Sequence, residues 1–167
     1  MQAIVNVNPQ WGIGNENNLL VRIHADMRRF RALTTHQTII IGRKTLLSFP
    51  SGKPLPNRDN IILTRNPSFQ ASGATICHTL SELRDAVWKK DPESIFVCGG
   101  ESVYKLLLPY CEKALVTMSD VSCPADRFFP NLNLLPNWVL SGAGPTEREG
   151  EITFRFLEYT NTCLQKL

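Results

Sequence analysis

The stretch Val97-Cys98-Gly99-Gly100-Glu101-Ser102-Val103-Tyr104 constrains the fold more than any other part of this sequence. An apolar run over residues 95–98 stops at two glycines, and an amphipathic segment follows directly. A buried strand that ends in Gly-Gly lets the backbone approach a ligand more closely than a side chain would permit. A helix that begins there directs its free N–H groups and the positive end of its dipole at the same spot, which favours a phosphate. The stretch therefore predicts a nucleotide site at the carboxyl end of a strand, with a plain turn as the alternative.

Composition limits the class of protein. A chain of 167 residues is long enough for one domain with a full core, and we expect residues 1–167 to form one. The net charge of +3 is too small to indicate nucleic-acid or membrane binding, but it suits a small anionic ligand. No apolar run approaches the ~20 residues that span a bilayer, and no signal-peptide pattern opens the sequence. The five cysteines form no Cys-x-x-Cys pair, so we expect no metal centre but reduced, mostly buried thiols in a cytoplasmic protein.

Buried strands alternate with helical segments along the chain. Apolar or β-branched runs predict strands at residues 3–7, 38–41, 60–64, 95–98 and 114–118. Helical spacing over residues 26–33, and a capping Ser81 before residues 82–88, predict helices. The glycine- and asparagine-rich residues 12–18 are predicted as a loop, and the alternation over residues 153–159 as an antiparallel strand near the sheet edge. This pattern predicts an α/β protein with a mostly parallel sheet and ligands beyond its carboxyl strand ends.

Three of these strand ends carry polar and cationic residues. Gly42-Arg43-Lys44-Thr45 follows the second strand, Thr64-Arg65 the third, and Gly99-Gly100 a later one. Any one of these cations, taken alone, is best explained as a solvated surface charge. Their shared position instead predicts a dinucleotide with several phosphates.

Motifs in a fixed order add a family resemblance. They are Trp11-Gly12-Ile13-Gly14, Asp26-Met27 with Phe30, Ile41-Gly42-Arg43-Lys44-Thr45, Lys53-Pro54-Leu55-Pro56-Asn57-Arg58, Asn60-Ile61-Ile62-Leu63-Thr64, Gly99-Gly100-Glu101-Ser102-Val103-Tyr104, and Thr117 with Ala125-Asp126 and Phe129-Pro130. In order and spacing they resemble the dihydrofolate reductase family, from Met1 to about Tyr159. The resemblance implies an eight-stranded mixed sheet flanked by about four helices. It also implies NADPH-dependent reduction of dihydrofolate to tetrahydrofolate, an activity of one-carbon metabolism that antifolate inhibitors block.

The resemblance implies a catalytic role for Asp26, supported by the Thr117 hydroxyl. Hydride transfer to the carbon of the pterin C=N bond leaves the neighbouring nitrogen to gain a proton. A carboxylate in an apolar cleft can bind the amino-pyrimidine edge and favour that protonation, and burial without a cationic partner would raise its pKa. The alternative from the residues alone is that Asp26 is a helix N-cap or a first-turn acid.

The resemblance also implies two sets of binding residues, one for the substrate and one for NADPH. In the first set, Arg58 would pair with the glutamate tail of folate. In the second, Arg43, Thr64 and Arg65 would surround the 2′-phosphate of NADPH. In the family, the position of Leu19 belongs to a mobile lid, and a cis peptide joins the two residues that correspond to Gly99 and Gly100. The substrate set is Ile4, Val5, Asp26, Met27, Phe30, Phe49, Leu55, Arg58, Cys98, Tyr104 and Thr117. The NADPH set is Asn6, Ile13, Gly14, Leu19, Gly42, Arg43, Lys44, Thr45, Leu63, Thr64, Arg65, Cys98, Gly99, Gly100, Glu101, Ser102, Val103 and Tyr104.

Five positions depart from the family pattern. Leu20-Val21 replaces a usual Pro-Trp pair, whose indole helps to hold a water near the pterin, and we expect a wider folate pocket there. Asn6 replaces a common alanine, His24 a frequent proline, and Ser102 an arginine of some members.

Other functions stay open on the sequence. One is a same-fold reductase of a riboflavin-pathway pyrimidine or another pterin, and another is a nucleotide-binding protein without catalysis. A monomer is expected, but a homodimer is not excluded, and nucleic acid is disfavoured as a partner because the sequence has no basic-aromatic stripe.

Overall fold

Strands and helices alternate over the middle of the chain, from α1 to β8, as predicted. The structure is a computed structural model that describes residues 1–49 and 51–167 in full and residue 50 only as the start of a short 3-10 helix. The helices of this described chain are α1 (His24–Thr34), α2 (Arg43–Ser48), α3 (Leu80–Val87) and α4 (Glu101–Leu107). Its strands are β1 (Gln2–Val7), β2 (Gly12–Asn15), β3 (Asn18–Leu19), β4 (Thr38–Gly42), β5 (Asp59–Leu63), β6 (Ala74–Cys77), β7 (Ile95–Val97), β8 (Lys113–Ser119), β9 (Arg127–Phe128), β10 (Trp138–Ala143), β11 (Glu147–Glu149) and β12 (Ile152–Asn161).

Eight strands form one continuous sheet in the order β10-β12-β8-β1-β7-β4-β5-β6, and β11 pairs with β12 as a ninth. Neighbouring strands from β8 to β6 are parallel, whereas β12 is antiparallel to β8, β10 and β11. The predicted mixed, mostly parallel sheet with four flanking helices is therefore confirmed. Because the parallel strands share one direction, the carboxyl ends of β1, β4, β5, β7 and β8 lie along one edge.

Residues on both faces of the sheet are buried. Ile39, Ile40 and Ile41 of β4 have no exposed surface, as expected for a strand covered on both sides. In β1 the side chains alternate, with Val5 in the larger core and Ile4 in a second cluster on the other face. The second face is the one that α1 covers, because Phe30 and Leu33 of that helix pack into the same cluster as Ile4.

The segment after β1 is a hairpin, not the loop that we predicted. Strand β2 pairs with β3 through a two-residue turn at Glu16 and Asn17, whose φ angles are 50° and 63°. Positive φ at both central residues is the geometry of the tight turn that suits a twisted hairpin. Strand β9 pairs along the other side of β2 and completes a three-stranded sheet.

Helix α3 begins earlier than the sequence suggested. Its N-cap is Thr79, whose hydroxyl accepts the backbone N–H of Glu82 at 3.1 Å, so the prediction of Ser81 as the cap was wrong. The Glu82 carboxylate in turn accepts the backbone N–H of His78 at 2.7 Å. Threonine followed three residues later by glutamate is the spacing of a capping box, and this spacing favours Thr79 over Ser81.

The five cysteines are free thiols. Cys77 and Cys111 are buried, Cys98 and Cys123 are half-buried and Cys163 is exposed, so the expectation of mostly buried thiols holds for only two of them. In the described part of the chain, no helix is long and apolar enough to cross a membrane.

Candidate active site

Asp26 lies in the first turn of α1 and directs its carboxyl group at the sheet. Its Oδ1 accepts a hydrogen bond from the Thr117 hydroxyl at 2.6 Å, and its Oδ2 accepts one from Asn6 Nδ2 at 3.3 Å. The backbone N–H groups of His24 and Ala25, at the start of the helix, are bound by Glu149 instead. These contacts do not fit the alternative that Asp26 is a helix cap.

A row of side chains across three adjacent strands supports α1. Asn6 on β1 lies opposite Thr117 on β8, and Thr117 lies opposite Phe156 on β12. Opposite residues of neighbouring strands point to the same face of a sheet. Asn6 and Thr117 hold Asp26, while the Phe156 ring lies 4.4 Å from the guanidinium carbon of Arg29, one helical turn later. The sheet therefore contacts two successive turns of the helix through one row.

Burial raises the pKa of the Asp26 carboxyl above its ordinary value of 3.8. The hydrogen bonds from Thr117 and Asn6 and the charge of Arg29 act in the opposite direction, so burial is the larger effect. The direction agrees with the prediction, but the premise that no cation lies near Asp26 was wrong. Burial also lowers the pKa of Arg29. Because Arg29 follows Asp26 by three residues, the two side chains lie on one face of the helix.

An apolar cluster on the α1 face of the sheet contains several residues of the predicted substrate set. It combines Ile4, Phe30, Leu55 and Cys98 with buried residues of the sheet. Cys98 also contacts a neighbouring cluster that includes Phe49. The cluster extends the surface beside Asp26 with the apolar character that a pterin ring needs.

Other members of that set lie elsewhere. Val5 faces the larger core on the opposite side of the sheet from Ile4, and its place in the substrate set stays a prediction. The cause is the period of two in a strand, which places Ile4 and Asn6 on one face and Val5 on the other. Met27 is half exposed on α1, and Tyr104 is buried with its hydroxyl donating to the Ile4 carbonyl at 2.7 Å.

Arg58 is held close to Phe30. Its Nε donates to the Thr34 hydroxyl and its Nη1 to the Pro56 carbonyl, both at 2.8 Å. Its guanidinium carbon lies 5.8 Å from the Phe30 ring centre. These bonds leave Nη2 and the second hydrogen of Nη1 for a ligand, which is the pair of donors that a carboxylate can accept together.

Glycines bring the ends of β4 and β7 together. The Gly42 N–H donates to the Gly99 carbonyl at 2.7 Å, and the Gly99–Gly100 peptide is cis. A Cβ at Gly99, where φ is 109°, would lie 3.0 Å from the Tyr104 ring, and a Cβ at Gly42 would lie 3.1 Å from Val103. Gly42 and Gly100 are also the N-caps of α2 and α4, where a residue without a side chain leaves the helix start open.

Polar residues predicted for the cofactor lie at neighbouring strand ends. Strand β5 lies beside β4, so the ends that carry Thr64-Arg65 and Arg43 are adjacent. Arg43 lies 6.0 Å from the Phe69 ring, and Lys44, Arg65 and Ser102 are exposed. His78 Nδ1 is 2.9 Å from the Thr64 carbonyl, so this histidine belongs to the same region. Thr45 is close to Gly100, because a Cβ at Gly100 would lie 3.2 Å from the Thr45 hydroxyl. Glu101 forms an ion pair with Lys105.

The predicted lid residues lie on the small hairpin. Ile13 and Gly14 are in β2, and Leu19 in β3 is 60% exposed. A Cβ at Gly12 would lie 2.6 Å from the Ala125 side chain and 2.9 Å from Leu20, so glycine is required where this hairpin packs.

Comparison with known proteins identifies the family. A family model described as dihydrofolate reductase matches residues 1–161. The chain belongs to the dihydrofolate reductase family. The dihydrofolate reductase of Bacillus subtilis is 34% identical over 149 residues, which cover 88% of this chain and 86% of that protein. That of Staphylococcus haemolyticus is 37% identical over 135 residues, covering 80% of this chain and 78% of that protein.

A solved structure supports the same fold. The dihydrofolate reductase of Enterococcus faecalis, solved in complex with NADP(H) and RAB-propyl, superposes on this reductase with a TM-score of 0.86 at 29% identity. The match covers 96% of this chain and 95% of the other.

The structure also shows the surroundings of the unusual residue 21. Val21 is 7% exposed and packs with Ile23 and Phe154. Its side chain is therefore part of an apolar cluster, and the wider pocket expected at this wall stays a prediction. Its carbonyl accepts a hydrogen bond from Asn6 Nδ2 at 3.3 Å.

Sequence reasoning overlooked several groups around this site in the reductase. Arg29 could have been found from its spacing of three residues from Asp26. Phe156 and Glu149 had no local signal, because their contacts with α1 depend on how β11 and β12 pair in the sheet.

Proposed function

We propose that Asp26 and Thr117 form the catalytic centre of this protein. As a member of its family, the protein is an NADPH-dependent dihydrofolate reductase, which converts 7,8-dihydrofolate to 5,6,7,8-tetrahydrofolate. The observation that carries the residue assignment is the Asp26 carboxyl, held by the Thr117 hydroxyl at 2.6 Å next to an apolar cluster. A carboxyl group of this kind is suited to bind the amino-pyrimidine edge of a pterin.

The reaction needs a hydride and a proton. When bound, NADPH supplies the hydride to the carbon of the pterin C=N bond and leaves as NADP⁺. The adjacent nitrogen gains a proton, so Asp26 must favour protonation of the bound ring. Burial raises the pKa of Asp26, which brings its titration closer to neutral pH than that of an exposed aspartate. Thr117 fixes one carboxyl oxygen and so orients the group.

The residues present fit a bound dinucleotide. A side chain at Gly42, Gly99 or Gly100 would crowd a neighbouring residue, so glycine keeps the backbone accessible there. The neighbours are Val103, Tyr104 and Thr45 respectively. Arg43 and Arg65 would hold the 2′-phosphate with Thr64, and Lys44 and Thr45 would bind near the pyrophosphate. The remaining residues of the predicted NADPH set would line the cofactor through their backbone or side-chain atoms.

Arg58 would select substrates that carry the glutamate tail. Its guanidinium keeps two parallel donors, on Nη1 and Nη2, after binding Thr34 and Pro56. A riboflavin-pathway pyrimidine has no carboxylate for these donors. We expect Arg58→Lys to raise KM for dihydrofolate by about tenfold, the loss of roughly 1.4 kcal/mol, while KM for a dihydropterin without the tail stays the same.

Oxidation of NADPH on adding dihydrofolate, followed by the loss of absorbance, tests the function. Asp26→Asn keeps the shape of the side chain but cannot ionise, so turnover at pH 7 should fall steeply while NADPH affinity stays near that of wild type. Part of the activity should return as the pH falls and the substrate becomes protonated in solution. Asp85→Asn, on the exposed face of α3, is the matched control. Wild-type turnover by Asp26→Asn at pH 7 would refute the assignment.

We also propose that residues 1–167 form one catalytic domain and that the protein is cytoplasmic. Five free thiols, including the exposed Cys163, support a reducing compartment. Cell fractionation with a redox-sensitive thiol label would test the location. We expect antifolate inhibitors to compete with dihydrofolate for the pocket beside Asp26.

A further inference from the structure

The Asn6 side chain contacts the Asp26 carboxyl directly. Asn6 Nδ2 lies 3.3 Å from Asp26 Oδ2 and 3.3 Å from the Val21 carbonyl oxygen. Both neighbours are acceptors, so the side-chain nitrogen must face them, because the reverse orientation would set oxygen against oxygen. The orientation of this amide is therefore determined by its surroundings.

This orientation leaves Asn6 Oδ1 as a buried acceptor. Within the described part of the chain, Oδ1 has no hydrogen-bond partner and almost no exposed surface. Buried polar atoms in native proteins nearly always have a partner, which can be a ligand or an ordered water. We therefore expect Oδ1, which lies next to the carboxyl proposed to bind the substrate, to have an N–H or O–H donor in the working complex.

The sheet gives Asn6 and Thr117 complementary positions. They are paired residues on β1 and β8, and each donates to a different oxygen of Asp26. Two donors on two oxygens fix the plane of the carboxyl group, whereas one donor would leave it free to rotate. An alanine at residue 6, common in the family, could not supply the second donor.

We propose that Asn6 is a positioning residue of this reductase, which holds Oδ2 of Asp26 while its own Oδ1 accepts a donor that arrives with the bound pterin. The inference rests on the proposed catalytic role of Asp26. Asn6 bonds the carboxyl and the Val21 carbonyl through the same amide nitrogen.

Four groups from different elements surround the carboxyl. Thr117 on β8 and Asn6 on β1 donate to it, and the Arg29 cation lies on its own helix. The pKa of Tyr104 on α4 is raised mainly by burial, and the Cys98 thiol and then the Asp26 charge add to the rise. A donor to the charged form favours that form. Removing Asn6 Nδ2 should therefore make the carboxyl more basic and extend the active range to higher pH.

The pH profile of single-turnover hydride transfer tests the positioning role. Asn6→Leu keeps much of the shape without the hydrogen bonds, and its falling limb should move up by about half a pH unit, the effect of one lost bond. Asn6→Asp should move it further, because two facing carboxyls share a proton. Asn133→Ala removes an exposed amide far from the site and is the control.

An unchanged midpoint in folded Asn6→Leu would overturn the inference. If that variant does not fold, Asn6→Ala carries the test, because alanine is accommodated at this position in the family. If the wild-type protein does not oxidise NADPH in the presence of dihydrofolate, the proposed function itself is refuted. The failure of the inference and the failure of the proposed function are therefore distinguishable.

A crystal structure with NADP⁺ and folate tests the role of Oδ1. We expect a nitrogen of the ligand or a water bonded to the ligand within 3.5 Å of this atom, a distance typical of a hydrogen bond or slightly longer. The structure would also tell these two sources of the donor apart. If Oδ1 has neither partner in that complex, the acceptor role is wrong.

Discussion

The Glu149 carboxylate accepts the backbone N–H of His24 at 2.7 Å, and the His24 ring nitrogen Nδ1 lies equally close to the same oxygen. Its second oxygen accepts the Ala25 N–H at 3.1 Å. A proline, frequent at residue 24 in the family, would have no N–H to bind. This chain has a histidine there, so the backbone carries an N–H group that a proline would lack, and Glu149 of β11 accepts it. A negative charge at the start of a helix also complements its dipole.

We expect Glu149→Ala to lower the Tm by a few degrees, because α1 loses its capping group. The backbone N–H of His24 is the main reason why the pKa of Glu149 lies below its ordinary value of 4.5. A carboxyl with a lowered pKa contributes stability above its unfolded pKa and loses it as the pH falls through the folded pKa. The Tm difference from wild type should thus be present at pH 7 and vanish well below pH 4.5.

Thermal unfolding at several pH values, with the exposed Glu151→Ala in the same turn as control, measures this effect. A Tm difference that persists unchanged to acid pH would show that Glu149 acts through packing and not through its charge.

Asp26→Asn should be more stable than wild type at pH 7 to 8. The pKa of Asp26 is raised by burial, so between the unfolded and the folded pKa the native state binds more protons than the unfolded state. Wild-type stability therefore falls as the pH rises through this range, while the variant has no such loss. The difference should shrink toward pH 4, and urea unfolding at each pH would measure it. A variant less stable than wild type at pH 8 would contradict the direction of the pKa shift.

Arg43 and Arg65 should set the preference for NADPH over NADH, which lacks the 2′-phosphate. A charge-assisted hydrogen bond contributes about 1.5–3 kcal/mol, so loss of both arginines should reduce the preference by roughly tenfold or more. The ratio of kcat/KM for the two cofactors in the double variant Arg43→Ala, Arg65→Ala measures it. Arg84→Ala, an exposed cation on α3, serves as control. An unaltered ratio in the double variant would remove both residues from the phosphate site.

Val21→Trp should destabilise the protein by about 1–3 kcal/mol, because an indole exceeds the space of a buried valine. Urea unfolding measures the loss, and Val139→Trp at an exposed position of β10 is the matched control. If Val21→Trp is as stable as wild type, residue 21 borders open space, as the sequence led us to expect.

The sequence predicted the sheet more reliably than the surroundings of the site. The run of residues 38–41 and the Gly-Gly pair are local signals, and both led to the correct strand and the correct strand end. The side of a strand on which a residue lies follows from its period of two. Val5 accordingly lies in the larger core, on the face of β1 opposite Ile4.

Contacts between distant residues could not be predicted in the same way. The pairing of Asn6 with Thr117 depends on the register of β1 against β8, which no short motif encodes. Glu149 reaches His24 only because β11 folds back on β12 near the start of α1. One sequence contains no record of such pairings, since they result from the packing of the whole sheet.

The row formed by Asn6, Thr117 and Phe156 has a consequence for the synthesis of the chain. The ribosome makes Asp26 and its helix early, but β8 follows much later and β12 later still. Until residue 117 has left the exit tunnel, the carboxyl has no hydroxyl to bind, and until residue 156 has left it, Arg29 has no aromatic ring beneath it. During translation, helix α1 therefore waits for two strands that are synthesised much later before the face that carries Asp26 and Arg29 is supported.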